Sequence, residues 1–210
     1  MNLYERTIQI CFEAKNSHLA SAISALPIIE KCYRHMNLEK DTFILSKGHG
    51  CPSLYAVLES YGYKPNITKS HPDIDVDNGI SCTTGSLGHG LPIACGIAYA
   101  TKLRKEDGNV YVLMGDGECA EGTTWESANF AIKHSLKNLF IIIDHNQYQA
   151  LEKTIYSDSI HRFKKAFPEL NIEIITSIKG EPLSIFKHHP DWHVHTLTAE
   201  EYQNAIKEVL

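Results

Sequence analysis

GDGECAEGTTWESANFAIKHSLKNLFIIIDHNQYQ, Gly115 to Gln149, decides how this chain is built. The apolar run VYVLM (110–114) leads into it, and a second run, LFIIID (139–144), lies near its end. Unbroken apolar runs of this kind belong to strands buried on both faces. The helical stretch TTWESANFAIKHSL separates them, so the unit reads strand–helix–strand and a parallel sheet is the default. The expected fold class is α/β, a mostly parallel sheet flanked by helices. Asp116 then stands at the carboxyl end of one strand and Asn146 at the end of the next, both poor strand residues in positions that open to a ligand.

Composition limits what that ligand can be. The chain has 210 residues, enough for one large domain with a substantial core, and we expect a single domain over 1–210. A net charge of −5, with no run of more than two basic residues, argues against nucleic acid or an anionic membrane as partner. No stretch approaches the eighteen apolar residues of a membrane span, and the start MNLYERTIQICFEAKNSHLA lacks an apolar h-region, so no signal peptide is expected. The six cysteines (11, 32, 51, 82, 95 and 119) include no CxxC pair, which speaks against a zinc site or disulfide framework and for reduced thiols in the cytoplasm.

Upstream, ERTIQICFEA and SAISALPIIEKCYRHM repeat apolar residues at helical steps. TFILS reads as a short strand ending in Lys47-Gly48-His49-Gly50, and Pro52 suits the first turn of a helix PSLYAVLESYGY. Residues 62–80 are loop-like, and CTTGSLGHGLPIACGIAYATKLR is a Gly-punctuated turn feeding a helix of small residues. Downstream, a charged helix near HRFKKAF, a strand IEIITSI, a polar loop to residue 198 and a last helix AEEYQNAIKEVL fit the pattern.

A carboxylate, an amide oxygen and a nearby main-chain carbonyl make a hard-oxygen set, suited to Mg²⁺ or Ca²⁺ shared with phosphate and water. Gly115 and Gly117 would let the backbone approach a diphosphate, and the following helix start offers N–H groups. Either feature alone reads as a tight turn or a cap; together, at this spacing, they favour a metal-bound diphosphate.

The segment resembles the thiamine-diphosphate motif, GDG followed about thirty residues on by Asn, and more narrowly it is similar to transketolase. The similarity extends over KNSHLASAISALPII, FILSKGHGCPSLYAVL, KSHPDIDVDNGISCTTGSLGHGLPIACGIAYA and SIKGEPLSIFKHHPDWHVHTLTAEEYQNAIKEV, nearly the whole chain in the family's order. The resemblance implies the three-layer thiamine-diphosphate-binding fold and transfer of a two-carbon ketol unit from a ketose to an aldehyde. It implies Asp116, Asn146 and the Tyr148 carbonyl as metal ligands, and Gly115, Gly117 and Glu118 at the diphosphate. Gly85 and Leu87 would hold the aminopyrimidine ring, with Lys47 and Lys179 near the diphosphate. His18, His49, His71 and His193 would line the cofactor and substrate channel, His49 also touching cofactor. Glu121 and Glu126 would lie between the two active sites of a dimer. His193 sits among His188, His189 and His195, which leaves its register open.

The family continues into a pyrimidine-binding domain that this sequence lacks. Met1 and the family-like end at Leu210 set the expectation of a short subunit, completed by a separately encoded C-terminal subunit in an α2β2 assembly. The segment after Gln149 is shorter than in transketolases, so one sheet strand is expected to be missing. His89 stands for the usual Gln and Val194 for the usual Gly near the channel, which points to a sugar other than the common pentose phosphates. Two other readings stay open: a 2-oxo-acid dehydrogenase or deoxyxylulose-phosphate-synthase-like component, and a non-catalytic cofactor-binding subunit.

Overall fold

Four parallel strands carry the architecture of the computed structural model, which describes residues 2–68, 70–146, 148–149, 152–153, 157–186 and 193–210. They are β1 (Thr42–Leu45), β2 (Val110–Gly115), β3 (Leu139–His145) and β6 (Asn171–Thr176), side by side in that order. Register runs Leu45 to Leu113, Leu113 to Ile142, and Asp144 to Ile175, so all four carboxyl ends open on one edge. A short antiparallel pair, β4 (Tyr148–Gln149) with β5 (Glu152–Lys153), follows β3 and has no signature in the sequence pattern.

Alternation along the strands sorts side chains to two faces. Ile44, Val112, Met114, Ile141 and Ile143 pack on one side under α4 (Gly90–Arg104), α5 (Gly122–Lys133) and α6 (Ser157–Ala166). Phe43, Leu45, Leu113 and Ile142 pack on the other under α1 (Leu3–Glu13), α2 (Leu19–His35) and α3 (Cys51–Ser60). Both faces are covered, which is why the strands read as continuous apolar runs rather than alternating ones. Each large aliphatic side chain closed off this way contributes about 1.5–3 kcal/mol.

The last helix, α7 (Ala199–Val209), lies on α1: Tyr202 stacks on Phe12 with ring centres 4.4 Å apart, and Asn2 Nδ2 donates to the Val209 carbonyl at 2.7 Å. Thr198 caps α7 in a reciprocal box with Glu201. No helix among the described residues is long and apolar enough to cross a membrane.

Candidate active site

At the carboxyl edge, β2 ends in Gly115 and turns directly into a 3-10 turn, Asp116–Ala120, while β3 runs through Asp144 and His145 to Asn146. Asp116 and Asn146 are 2% and 7% exposed and face one cleft of about 240 Å³, with Tyr148, Gly115 and Gly117. Tyr148 N–H donates to Asn146 Oδ1 at 3.0 Å, an Asx-type turn that fixes the amide. Gly117 N–H donates to Asp116 Oδ1 at 3.0 Å. Each of these oxygens is an acceptor with more than one lone pair. Burial raises the Asp116 carboxyl, with Lys47 opposing that shift and Asp144 adding to it.

Four histidines form the opposite wall. The His18 ring lies 5.6 Å from His49, 5.8 Å from His71 and 5.2 Å from His193, and His49 lies 5.4 Å from His193. Each is carried by a different device. Asn16 Oδ1 accepts the His18 N–H at 2.8 Å just before α2. His49 rides a 3-10 turn, Gly48–Gly50, where a Cβ on Gly48 would sit 2.8 Å from the Thr84 main chain, so only glycine fits. The His71 ring would lie 3.1 Å from a Cβ on Gly85. His193 is delivered by a parallel bridge of His195 to His18, with His195 N–H donating to the Ser17 carbonyl at 2.8 Å. That bridge settles the register: His193 enters the cleft, whereas His195 turns out to Glu201 at 3.0 Å. His188 and His189 lie outside the described residues.

Burial holds the His18 and His193 imidazoles down to about 4, with Lys179 and neighbouring histidines adding to the effect. It also holds His49 well below the ordinary imidazole value, aided by Lys47. These rings are therefore neutral at physiological pH, able to donate at one nitrogen and accept at the other. His18 Nδ1 is buried with no partner among the described residues.

Beneath the cleft, Lys47 Nζ donates to Asp144 Oδ2 at 2.5 Å, and Ser177 Oγ and Ser24 Oγ also donate to Asp144, the latter at 3.4 Å. Sequence reasoning missed Asp144, although a carboxylate closing an apolar run needs a buried cation or donors.

Residues 13–185 match the family described as the transketolase thiamine diphosphate binding domain. The chain belongs to the transketolase family. It is 32% identical to one subunit of the apulose-4-phosphate transketolase of Phocaeicola vulgatus, over 98% of this chain and 90% of that one. It is 40% identical to a 6-deoxy-6-sulfo-D-fructose transketolase subunit of a Clostridium species, over 53% of this chain and 44% of that one. The transketolase structure from Pichia stipitis superposes with a TM-score of 0.72 at 23% identity, covering 99% of this chain and 43% of that one. The chain thus corresponds to the N-terminal, cofactor-binding part of a transketolase, the part that split transketolases carry as its own polypeptide.

The cleft fits the family's cofactor on its own chemistry. Gly115 has an ordinary extended backbone, φ −86°, and a Cβ there would meet nothing nearer than Lys47 Cβ at 3.9 Å. Neither backbone strain nor crowding requires glycine, so the space it leaves is kept for a ligand. Around that space stand hard oxygens for a divalent cation and the ammonium groups of Lys47 and Lys179 for an anion. Gly85 and Leu87 line the same cleft.

Several sequence expectations shift. Glu118 lines the cleft floor, but its carboxylate is wholly buried and taken by protein donors: Ser46 Oγ at 2.5 Å and the N–H groups of Gly88 and Gly115 at 2.9 Å. Through these bonds it ties together the backbone around the cleft. Glu121 and Glu126 do not line the cleft. Glu121 packs against Gly88, and the exposed Glu126 borders a separate hollow of about 290 Å³ with Gly96, Thr123 and Phe130 between α4 and α5. His89 is exposed at the start of α4 and Val194 is 64% exposed; neither lines the cleft. A larger open hollow, about 890 Å³, lies at the opposite edge of the sheet near Asp41, Asn109 and Asn138, away from every group named above.

Proposed function

We propose that this chain is the diphosphate-binding subunit of a split transketolase, which transfers a two-carbon ketol unit from a ketose donor to an aldehyde acceptor. The observation that carries this reading is the convergence of Asp116, Asn146 and Tyr148 on one cleft with His18, His49, His71 and His193. Asp116, the Asn146 side chain and the Tyr148 carbonyl would hold Mg²⁺, or Ca²⁺ in its place. Gly117 N–H and the Lys47 and Lys179 ammonium groups would take the diphosphate, and Gly85 and Leu87 the aminopyrimidine ring. When bound, thiamine diphosphate supplies the thiazolium chemistry that breaks and remakes the carbon–carbon bond. The four histidines would hydrogen-bond the sugar hydroxyls and carbonyl and move protons at their ring nitrogens.

The remaining half of the site would come from a separately encoded C-terminal subunit in an α2β2 enzyme of the cytoplasm. Glu126 and the α4–α5 hollow would face the subunit interface, with Glu121 beside it. Support for an unusual sugar comes from the relatives, whose names specify apulose-4-phosphate and 6-deoxy-6-sulfo-D-fructose rather than common pentose phosphates.

In the assembled enzyme, His71→Ala should abolish ketol transfer and leave cofactor binding nearly unchanged. Unchanged turnover would instead favour a non-catalytic binding subunit, and consumption of pyruvate a 2-oxo-acid enzyme. The purified single chain should be inactive; turnover at about 1 s⁻¹ or faster would contradict a split site. A donor–acceptor screen in which only pentose phosphates react would refute the specialised sugar.

A further inference from the structure

Three stretches far apart in sequence meet at one carboxylate. Glu118 Oε1 accepts the Ser46 hydroxyl at 2.5 Å, from the end of β1, and the Gly88 N–H at 2.9 Å, from the turn before α4. Its other oxygen, Oε2, accepts the Gly115 N–H at 2.9 Å, from the end of β2. Ser46 Oγ in turn accepts the Gly90 N–H at 3.1 Å. Glu118 is 0% exposed, so no water competes for these donors. Side-chain packing cannot replace the bridge: a Cβ on Gly88 would lie 2.6 Å from Thr123 Oγ1, and one on Gly90 2.3 Å from Ser46 Oγ. Burying a carboxylate is unfavourable, and a position that only filled space would take an apolar side chain. The charge is retained for what it joins.

We infer that Glu118 is a positioning residue that couples the loop carrying Gly85 and Leu87 to the loop carrying Gly115–Gly117, so that a ligand seated on one loop stiffens the other. The inference rests on the cofactor site proposed above, but needs no contact between Glu118 and the cofactor. Magnesium pyrophosphate separates the two ends, since it contains the diphosphate group and no ring. Of these two loops, it should touch only the one carrying Gly115–Gly117.

The test is amide hydrogen exchange on the full chain, read at Gly88, Gly115 and Gly117 with and without magnesium pyrophosphate. The remote Gly79 turn serves as reference for any global stabilisation. In the wild type, protection at Gly117 should be accompanied by slowing at Gly88, beyond Gly79, on the order of tenfold, the factor for a strengthened charge-assisted hydrogen bond. Glu118→Gln should keep protection at Gly117 and lose it at Gly88. Ser46→Ala, which spares both glycine bonds, should keep both. Protection of Gly117 without Gly88 in the wild type would overturn the coupling, and this result needs no variant to fold. Equal transmission through Glu118→Gln would overturn it as well. Absence of protection at either loop in the wild type would remove the diphosphate site and the coupling with it.

Discussion

Lys47 and Asp144 meet 2.5 Å apart beneath the cleft, 97 positions apart in the chain and 1% and 0% exposed. The Lys47 ammonium is held by Asp144 at the cleft, so one pair joins the end of β1 to the end of β3. Removing one partner strands a buried charge, at about 3–5 kcal/mol. Lys47→Met and Asp144→Leu should each lower stability by about that amount, and the double variant should recover most of the loss. Urea unfolding of the three proteins measures this; additive losses would show that the two groups do not depend on one another.

The buried histidines fix a pH dependence of folding. His18 and His193 are held at about 4, against an ordinary 6.5, and His49 is also held well below that ordinary value. Below 6.5 the unfolded chain takes up protons that the folded chain refuses. Stability is therefore full above that value and falls as pH drops toward 4. Urea midpoints from about pH 7.5 to about 4.5 should decline, and His18→Asn with His193→Asn should flatten the slope. An unchanged slope would mean that these rings titrate normally in the fold.

Two glycines of α4 should respond in opposite ways to alanine. A Cβ at Gly90 would lie 2.4 Å from Ser46 Cβ and 2.7 Å from its Cα, so Gly90→Ala should cost about 1–3 kcal/mol through overpacking. A Cβ at Gly96 meets nothing within 4 Å, so Gly96→Ala should stabilise the isolated chain by up to about 1 kcal/mol. Thermal melts compare them directly. Losses in both would mean that α4 is not packed as described.

The N-cap of the last helix holds the last histidine in place. Thr198 Oγ1 accepts the Glu201 N–H at 3.2 Å, and Glu201 Oε2 accepts the Thr198 N–H at 2.8 Å. Thr198→Ala should cost about 1 kcal/mol. It should also speed amide exchange at His195, whose N–H anchors the segment on Ser17. A cap lost with no change at His195 would separate α7 from the cleft.

Much of the fold is readable in one dimension. VYVLM and LFIIID announce a doubly covered parallel sheet because no polar residue interrupts them, and Asp116 and Asn146 stand out because neither suits a strand. The helices near ERTIQICFEA and AEEYQNAIKEVL fall where their periodicity places them. What escapes such a reading depends on contacts between distant segments. His193 cannot be told from its three histidine neighbours by sequence, since a bridge to Ser17 and His18 selects it. Glu118 looks like a ligand because its inward turn depends on donors from Ser46 and Gly88. Asp144 hides in an apolar run whose compensating cation lies on another strand. Lys47 and His49, by contrast, are flagged by the glycines around them.

Binding calorimetry of thiamine diphosphate to the assembled enzyme, with and without Mg²⁺, reaches the metal-tethered diphosphate most directly. Uptake should require Mg²⁺ and weaken by more than about tenfold in Asp116→Asn and in Asn146→Ala. Equal affinity in chelator, or wild-type affinity in both variants, would mean that these two oxygens do not share a cation and that the cleft is not the cofactor's site.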